Sequence, residues 1–314
     1  MIFILTEAGS TEGMGHVVRL FALCQLLEIE NSVTVCIKTN WDKEQCAGID
    51  FFFKQVSFFK TEVDAVNEIP YGSIVFIDAY TFNVDEINRY KAEKNWKLLF
   101  IADVHLRVPD ADILVNHLPW ISEESYPDAS IGKMLTGSKY AILREAFYKK
   151  KPVQEEDSVF ICLGGADVVQ QIMNIYNGLL ENGFSEDKIN VLYNRPLDNV
   201  KSENLFLNLG AEDVYSLISK ANLCFIAPGN ISYEVFSIHK TAIMGHTSTT
   251  QVDVAMKFND IGLCYNIGSW ATADFSQLPV WIDRAKQTRA IQECFFNRSD
   301  YLYLKSDLLS FIRY

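Results

Sequence analysis

The chain has 314 residues, of which 49% are hydrophobic and 22% are charged, and its formal net charge is -12 at pH 7. This length favours two domains, and the composition is typical of a soluble globular protein. The acidic balance argues against nucleic acid as the main partner and against stable membrane association, because phosphate backbones and anionic membranes select basic surfaces. A small anionic substrate stays compatible with it, because a local site can be positive on an acidic protein.

The N-terminus and the cysteines predict a cytoplasmic protein. Met1–Glu7 has no basic region and meets an acidic residue at once, so it is predicted to be a core strand rather than a signal peptide. The cysteines at positions 24, 36, 46, 162, 224, 264 and 294 form no Cys-x-x-Cys pair, which is typical of buried, reduced thiols. The five histidines are also dispersed, and we expect neither a metal site nor a cofactor. The sequence leaves the oligomeric state open.

Short apolar runs alternate with helical segments along the first half. The predicted strands are Ile2–Leu5, Val33–Lys38, Ile74–Ile77, Leu98–Ala102 and Ile113–Val115, and the predicted first helix is Val17–Leu27. These strands are apolar on both faces and rich in Val and Ile, as expected of a parallel sheet covered by helices. The aromatic run Phe51–Phe59 is compatible with a membrane-facing patch, but the overall acidity favours a buried strand of the same sheet.

The second half repeats this pattern. Its predicted strands are Val159–Leu163, Ile189–Tyr193, Leu205–Leu207, Leu223–Ile226, Thr241–Met244 and Leu263–Tyr265, and its predicted helices are Val169–Leu180, Val214–Ala221, Ser232–His239 and Gln251–Asn259. A charged segment with a proline, Lys149–Asp157, predicts the linker. The fold class is therefore α/β, with two Rossmann-like domains, 1–150 and 151–314, that face each other across a cleft. The largely helical tail Trp281–Tyr314 is predicted to pack back across both domains.

The turn Gly13-Met14-Gly15-His16 lies between the first strand and the first helix. Glycine lets a backbone approach a ligand closely, and a helix N-terminus favours an anion. Histidine exchanges protons near neutral pH. Two interpretations stay open: a tight turn with a surface histidine, and an acid or base beside a phosphate or sugar site.

Other polar residues follow strands of the first half. Asp78 and Tyr80 come directly after Ile74–Ile77, where side chains are expected at the cleft, although a helix cap and a packing tyrosine explain them as well. Asp103 ends the next strand and Arg107 follows it. We expect Arg107 either to hold a phosphate or to pair with Asp103 or Asp110, and the ion pair is slightly favoured.

Two loops of the second half lie between a strand and a helix, as the turn Gly13–His16 does in the first half. Gly164-Gly165-Ala166-Asp167 fits neither Gly-x-Gly-x-x-Gly nor a P-loop, which argues against a nicotinamide cofactor and P-loop ATP chemistry. In Pro228–Glu234, Asn230 or Ser232 is expected to cap a helix whose N–H groups face a diphosphate. Glu234 is expected either to accept hydrogen bonds from a ribose diol or only to stabilise the first helical turn, and chemistry alone favours the second role.

The order of these motifs resembles the nucleotide-sugar hydrolases of pseudaminic acid biosynthesis. The matching segments are Gly13–Arg19 for Gly-x-Gly-His-x-x-Arg, Ile77–Tyr80 for Val-Asp-x-Tyr, Asp103 with Arg107–Asn116 for an Asp-Asp-to-Asn segment, Leu143–Phe147 for Leu-Arg-Pro-Glu-Phe, and Leu163–Asp167 for Phe-Gly-Gly-Ser-Asp. That family is related to the MurG-type glycosyltransferases and shares their GT-B fold. The resemblance covers nearly the whole chain.

The resemblance implies a hydrolase that releases UDP from a UDP-linked 2,4-diacetamido-2,4,6-trideoxy-L-altrose. It implies that His16 is the general base and that Tyr80 and Asp78 orient the sugar or support His16. The implied substrate-binding residues are Gly13, Gly15, Arg19, Arg107, Gly164, Gly165, Gly229, Asn230, Glu234, Thr250 and Gln251. A GT-B glycosyltransferase and a non-catalytic nucleotide-sugar binder are the rival interpretations.

Two departures from the family pattern concern the second half. Where the family has Ala-Gly-Gly-Ser-Thr, this chain has Ala227–Ile231, in which Pro228 removes an N–H and Ile231 removes a hydroxyl. Where the family has Asn-Gln, this chain has Thr250-Gln251. Both changes lie at the expected nucleotide and sugar contacts, whereas the histidine loop is unchanged.

Overall fold

The computed structural model describes residues 1–9, 13–42, 46, 49, 52–103, 107–151, 153–207, 209–297 and 299–313. The chain divides into two compact units, Met1–Arg144 with Ser299–Tyr314, and Glu145–Arg298. Each unit contains one parallel sheet with helices, so the predicted α/β class with two Rossmann-like domains is confirmed. The sugar-binding and nucleotide-binding roles expected of the two halves stay predictions.

The first unit is built on a seven-stranded sheet in the order β3-β2-β1-β4-β5-β6-β7. Its strands are β1 (Ile2–Ala8), β2 (Val33–Thr39), β3 (Val56–Phe59), β4 (Ile74–Asp78), β5 (Lys97–Ile101), β6 (Ala111–Asn116) and β7 (Ile131–Thr136). The helices of its continuous part are α1 (Gly15–Leu27), α2 (Glu62–Asn67) and α3 (Val84–Lys94). The order of β3 to β6 is that of a dinucleotide-binding domain, in which the strand order reverses between β1 and β4.

Both faces of this sheet are buried, as the predicted strands require. Ile4 packs on one face in a cluster with Leu20 of α1, and Leu5 packs on the other face in a cluster with Ile87 of α3. Neighbouring residues of a strand point to opposite faces, so a strand apolar at every position is covered on both sides.

The aromatic segment is only partly a buried strand. The strand β3 covers Val56–Phe59 at the sheet edge, and Phe58 is 39% exposed, so the predicted burial is wrong there. Phe53 is buried instead through a ring contact with Phe21 of α1, at 5.3 Å between centroids. Phe51 lies outside the described residues.

The second unit has a six-stranded parallel sheet in the order β10-β9-β8-β11-β12-β13. Its strands are β8 (Val159–Cys162), β9 (Ile189–Tyr193), β10 (Leu205–Leu207), β11 (Leu223–Ile226), β12 (Ala242–His246) and β13 (Tyr265–Ser269). Its helices are α4 (Glu145–Lys149), α5 (Val169–Glu181), α6 (Ala211–Lys220), α7 (Asn230–Ser237), α8 (Val252–Asp260), α9 (Leu278–Lys286) and α10 (Arg289–Phe295). The strand order reverses between β8 and β11, as it does between β1 and β4.

The predicted helical tail consists of three helices, and the last of them belongs to the first unit. This helix, α11 (Tyr301–Arg313), buries Leu304 and Leu308 in the core beside α1. Lys305 pairs with Glu28 at 2.6 Å on the rim of that contact. Tyr314 lies outside the described residues.

The segment predicted to be the linker is fixed to the second unit at Glu155. This carboxylate accepts hydrogen bonds from Lys240, at 3.0 Å, and from Arg289, at 2.7 Å. Pro152 lies outside the described residues. The ion pairs attach the chain before β8 to the loop before β12 and to α10.

The remaining differences from the predicted elements concern the short, polar ones. The strand β7 and the helices α2 and α3 carry many polar residues and were not among the predicted elements, and β13 begins only at Tyr265.

All cysteines are free thiols, and Cys294 is exposed rather than buried as expected. Within the described residues, no helix combines the length and the apolar character that a membrane crossing requires.

Candidate active site

The strand order brings two of the predicted site residues together at the carboxyl ends of central strands of the first sheet. β1 and β4 are parallel neighbours, with Thr6 aligned to Asp78. Asp78 ends β4, and His16 lies in the helix that follows β1. In open parallel sheets ligands bind outside the carboxyl ends of the strands, at the point where the strand order reverses. His16 and Asp78 therefore lie where a site is expected.

The glycine turn determines where the first helix begins. Gly13 has φ +67°, a left-handed conformation that glycine adopts without strain, and its N–H donates to the carbonyl of Gly9 at 2.7 Å. The helix α1 begins two residues later, at Gly15. His16 is its second residue, and Arg19, three residues further, lies on the same face. The turn thus directs both side chains towards the end of β4.

His16, Arg19 and Asp78 form a buried, hydrogen-bonded group, each no more than 3% exposed. Nδ1 of His16 lies 2.7 Å from Oδ1 of Asp78. Arg19 donates from Nε to Oδ2 and from Nη2 to Oδ1 of Asp78, each at 2.7 Å, which makes a two-point ion pair. Nη2 also lies 3.4 Å from Nδ1 of His16, but the shorter contact with the carboxylate fixes the position of the histidine proton.

The charge of Asp78 sets the tautomer of His16. Burial by itself raises the pKa of Asp78, but Arg19 and His16 outweigh burial and hold that pKa well below its ordinary value. The ionised carboxylate accepts the Nδ1 proton, so a neutral His16 carries its lone pair on Nε2. This second nitrogen makes no hydrogen bond to any residue that the structure describes.

Asp103 links Arg19 to Tyr80. Its Oδ2 accepts from Nη1 of Arg19 at 3.0 Å and from the Tyr80 hydroxyl at 2.7 Å. Burial raises the pKa of Tyr80 and the charge of Asp103 raises it further, so the phenol stays protonated. The Tyr80 ring meets the His16 ring edge-on, with centroids 4.4 Å apart. The sequence analysis named Asp103 only as one of two possible partners of Arg107, beside Asp110.

Glu7 holds the loop that carries Tyr80, a role that sequence reasoning missed. This carboxylate, 3% exposed at the end of β1, accepts hydrogen bonds from the backbone N–H groups of Tyr80 and Thr81 and from the Thr81 hydroxyl. A carboxylate inside an apolar strand is rarely buried without partners, so its position in Ile2–Ala8 was a usable signal.

Two residues at the end of β6 contact Asp103 and Arg19 of this buried group. The side chain of Asn116 donates to the backbone carbonyl of Asp103 at 3.0 Å. His117 is fully buried, with Nε2 3.5 Å from Nη1 of Arg19. Burial, followed by the charge of Arg19, lowers the pKa of His117 to about 4, so this histidine is neutral at pH 7. Sequence reasoning gave His117 no role.

Arg107 lies away from this group, on the surface. It pairs with Asp85 at 2.6 Å, and both side chains are mostly exposed. The expected pairing with Asp103 or Asp110 is therefore wrong, because Asp103 is occupied by the buried Arg19. An exposed pair of this kind contributes little to stability.

The first glycine loop of the second unit follows β8. Gly164 has φ +93°, and a Cβ added there would meet nothing within 4 Å, so the space beside this glycine is open. Asn194, at the end of β9, donates to the carbonyl of Gly165 at 3.0 Å, and the Tyr193 hydroxyl donates to that of Ala166 at 3.1 Å. Residues at the end of β9 thus support the loop.

The second loop follows β11, the strand next to β8. The N-cap residue of α7 is Gly229, which has no side chain that could cap the helix. The expected capping by Asn230 or Ser232 is wrong, because Asn230 is already helical and Ser232 donates instead to the carbonyl of Ala227, at 3.0 Å. Glu234 lies in α7 and is 4% exposed.

Gln251 connects the second loop to the end of β12. Its amide nitrogen donates to the carbonyl of Pro228 at 2.9 Å, and its amide oxygen accepts from the backbone and the hydroxyl of Thr247. Thr250 is exposed, and its hydroxyl lies 2.9 Å from that of Ser248. The contacts of Gln251 position the Pro228 loop, a structural role that its spacing in the sequence did not indicate.

No protein-family model matches this sequence, and no curated protein does. Solved structures match its fold. Acinetobacter baumannii MurG is similar over 99% of both chains, with 12% identity and a TM-score of 0.59. A putative UDP-N-acetylglucosamine 2-epimerase from Listeria monocytogenes covers 99% of this chain with 96% of its own, at 14% identity and a TM-score of 0.60. MnaA from S. aureus, solved with UDP, covers 100% of this chain with 97% of its own, at 11% identity and a TM-score of 0.56. At identities this low, the structural likeness shows the fold alone, and this fold is the predicted GT-B type.

Proposed function

We propose that this protein is an enzyme that hydrolyses a nucleotide-linked sugar and releases UDP. The substrate class is that of the family the sequence resembles, a UDP-linked diacetamido-trideoxy-sugar of nonulosonic acid biosynthesis. The observation that carries the proposal is the 2.7 Å contact between Nδ1 of His16 and Asp78, which leaves Nε2 of the imidazole as a base.

In this reaction a water molecule gives its proton to Nε2 of His16 while its oxygen attacks the anomeric carbon. The bond between that carbon and the diphosphate oxygen breaks, and its electron pair leaves with UDP. Asp78 stays ionised, orients the imidazole and stabilises the imidazolium that forms. Arg19 is 3% exposed and holds two carboxylates, so we assign it to positioning rather than to the substrate contact expected from sequence.

We place the nucleotide at the second unit. The loops Gly164–Asp167 and Pro228–Asn230 follow β8 and β11, between which the strand order reverses. The open space beside Gly164 and Gly229 admits a ligand close to the backbone. Glu234 is the candidate acceptor for the ribose hydroxyls. Structures of similar fold include one solved with UDP and one described as a putative UDP-N-acetylglucosamine 2-epimerase, which supports this ligand class.

A proton NMR time course tests the proposal. The purified protein is incubated with a panel of UDP-sugars, including diacetamido-trideoxy-sugars, without any acceptor. We expect free reducing sugar and UDP in equal amounts from one member of the panel, and none from the His16→Ala variant. Absence of turnover across the whole panel contradicts the proposed activity.

A glycosyltransferase is the second candidate, and the likeness to MurG favours it. In that case a sugar hydroxyl takes the place of water, because one fold hosts both reactions. The same time course separates the two: a transferase forms a glycoside only after an acceptor is added, whereas a hydrolase reaches its full rate without one.

A further inference from the structure

One carboxylate oxygen connects two residues that position His16 in different ways, one through Asp78 and one through a ring contact. Oδ2 of Asp103 accepts from Nη1 of Arg19 at 3.0 Å and from the Tyr80 hydroxyl at 2.7 Å. Arg19 makes the two-point contact with Asp78, and Tyr80 packs edge-on against the imidazole at 4.4 Å.

We propose that Asp103 is a further positioning residue of this site, which fixes the phenol of Tyr80 against His16 and the guanidinium of Arg19 against Asp78. Its importance for turnover rests on the proposed hydrolase function, whereas the arrangement itself is a property of the free protein.

The charge balance explains why this position requires a carboxylate. Two carboxylates, Asp78 and Asp103, surround one guanidinium, and all three side chains are largely removed from water. Burial by itself raises the pKa of Asp103, but Arg19, His117 and the hydrogen bond from Tyr80 together outweigh burial and hold that pKa below its ordinary value, so the carboxylate stays charged. A charged acceptor forms a stronger bond with the Tyr80 hydroxyl than a neutral amide does.

The loop of Asp103 and the loop of Tyr80 are both anchored by other residues. Asn116 donates to the backbone carbonyl of Asp103, and Glu7 accepts from the backbone of Tyr80. Asp103 therefore ties together two loops that are each already fixed to the sheet. Glu7 holds the backbone of Tyr80, and the hydrogen bond to Asp103 holds the hydroxyl at the far end of its ring.

The test compares Asp103→Asn, Tyr80→Phe and the double variant by NMR of the His16 ring protons, without substrate. These protons report the aromatic ring beside them. We expect both single changes to shift the His16 signals, and we expect Tyr80→Phe to add little once Asp103 is replaced, because the two residues act through one hydrogen bond. His16 signals that stay at the wild-type positions in the folded variants overturn the proposal.

The NMR comparison also needs a control variant and a variant that replaces Asp103→Asn if that protein does not fold. Asp85→Asn removes the same charge from an exposed pair and should leave the His16 signals unchanged. If Asp103→Asn does not fold, Tyr80→Phe, which removes only the hydroxyl, decides the question by the same signals.

Kinetics then separates this proposal from the proposed function. With an active substrate, we expect Asp103→Asn to lower kcat by about tenfold or more with KM within about twofold, because misplaced groups lose rate rather than binding. An unchanged kcat overturns the proposal. A wild-type protein without hydrolase activity refutes the proposed function, while the NMR comparison still decides the role of Asp103.

Discussion

Nδ1 of His16 lies 2.7 Å from a carboxylate oxygen of Asp78, and both side chains are buried. Because Asp78 is also held by the two-point contact of Arg19, it has little freedom to rotate away from the imidazole. The pair therefore fixes one tautomer of His16 and leaves Nε2 as its basic atom. This relationship is the basis of the proposed chemistry.

Replacement of the base tests the role of His16 first. We expect His16→Ala and His16→Asn to lower kcat by roughly 10²–10⁴-fold, the usual contribution of one acid–base group. Affinity for UDP, measured by calorimetry, should stay near the wild-type value, because the nucleotide is placed at the second unit. A rate within a few-fold of wild type removes His16 from the mechanism.

Asp78→Asn keeps the shape of the carboxylate but removes its charge. The amide no longer imposes the Nδ1–H tautomer, so kcat should fall by about 10²–10⁴-fold. Arg19 loses one of its two charged partners, which should lower the free energy of unfolding by roughly 1–3 kcal/mol in a denaturant titration. A variant with wild-type kcat would show that the charge of Asp78 does not determine the tautomer used in turnover.

Stability should depend on pH through His117. Its pKa is lowered from 6.5 to about 4 in the folded protein. Below pH 6.5 the unfolded chain binds a proton that the folded protein rejects, so stability falls as the pH falls from 6.5 towards 4. The full difference corresponds to about 3 kcal/mol. Denaturant titrations of His117→Asn should show a weaker loss over this range. Parallel curves for the two proteins contradict this assignment.

Glu234→Gln separates a ribose contact from a purely structural role. If the carboxylate accepts hydrogen bonds from the ribose hydroxyls, UDP affinity should fall roughly tenfold or more, since such bonds contribute about 1.5–3 kcal/mol. Affinity for 2′-deoxy-UDP should fall much less. Equal losses for both nucleotides, measured by calorimetry, refute the ribose role, and unchanged affinities with a small shift in Tm indicate helix stabilisation only.

The apolar part of β1, Ile2–Leu5, was predictable from the sequence because both of its faces are apolar, and the parallel sheets followed from the alternation of strands and helices. The strand β7 was not, because Gly132 and Lys133 are exposed and its pattern is only half apolar. Exposed, polar elements acquire their structure from pairing with a neighbour, here β6, and that pairing leaves no local signature.

The candidate site was predictable only in part, because the sequence shows which residues follow a strand but not which strands are neighbours. His16, Asp78 and Tyr80 were found because each follows an apolar strand in the sequence. The link through Asp103 to Arg19 was missed, because it joins residues on α1 and after β5 that only the sheet order brings together. Gln251 and Ser232 were assigned to ligand binding and capping, but each uses its side chain to hold a backbone carbonyl.

The most direct test of the central claim is where the oxygen of water goes. The reaction is run in water enriched in heavy oxygen, with the substrate found in the panel, and both products are analysed by mass spectrometry. Attack by water at the anomeric carbon, with His16 as base, predicts the label in the released sugar and none in UDP. Label in the diphosphate, or a His16→Ala variant that forms labelled sugar at the wild-type rate, would contradict the account.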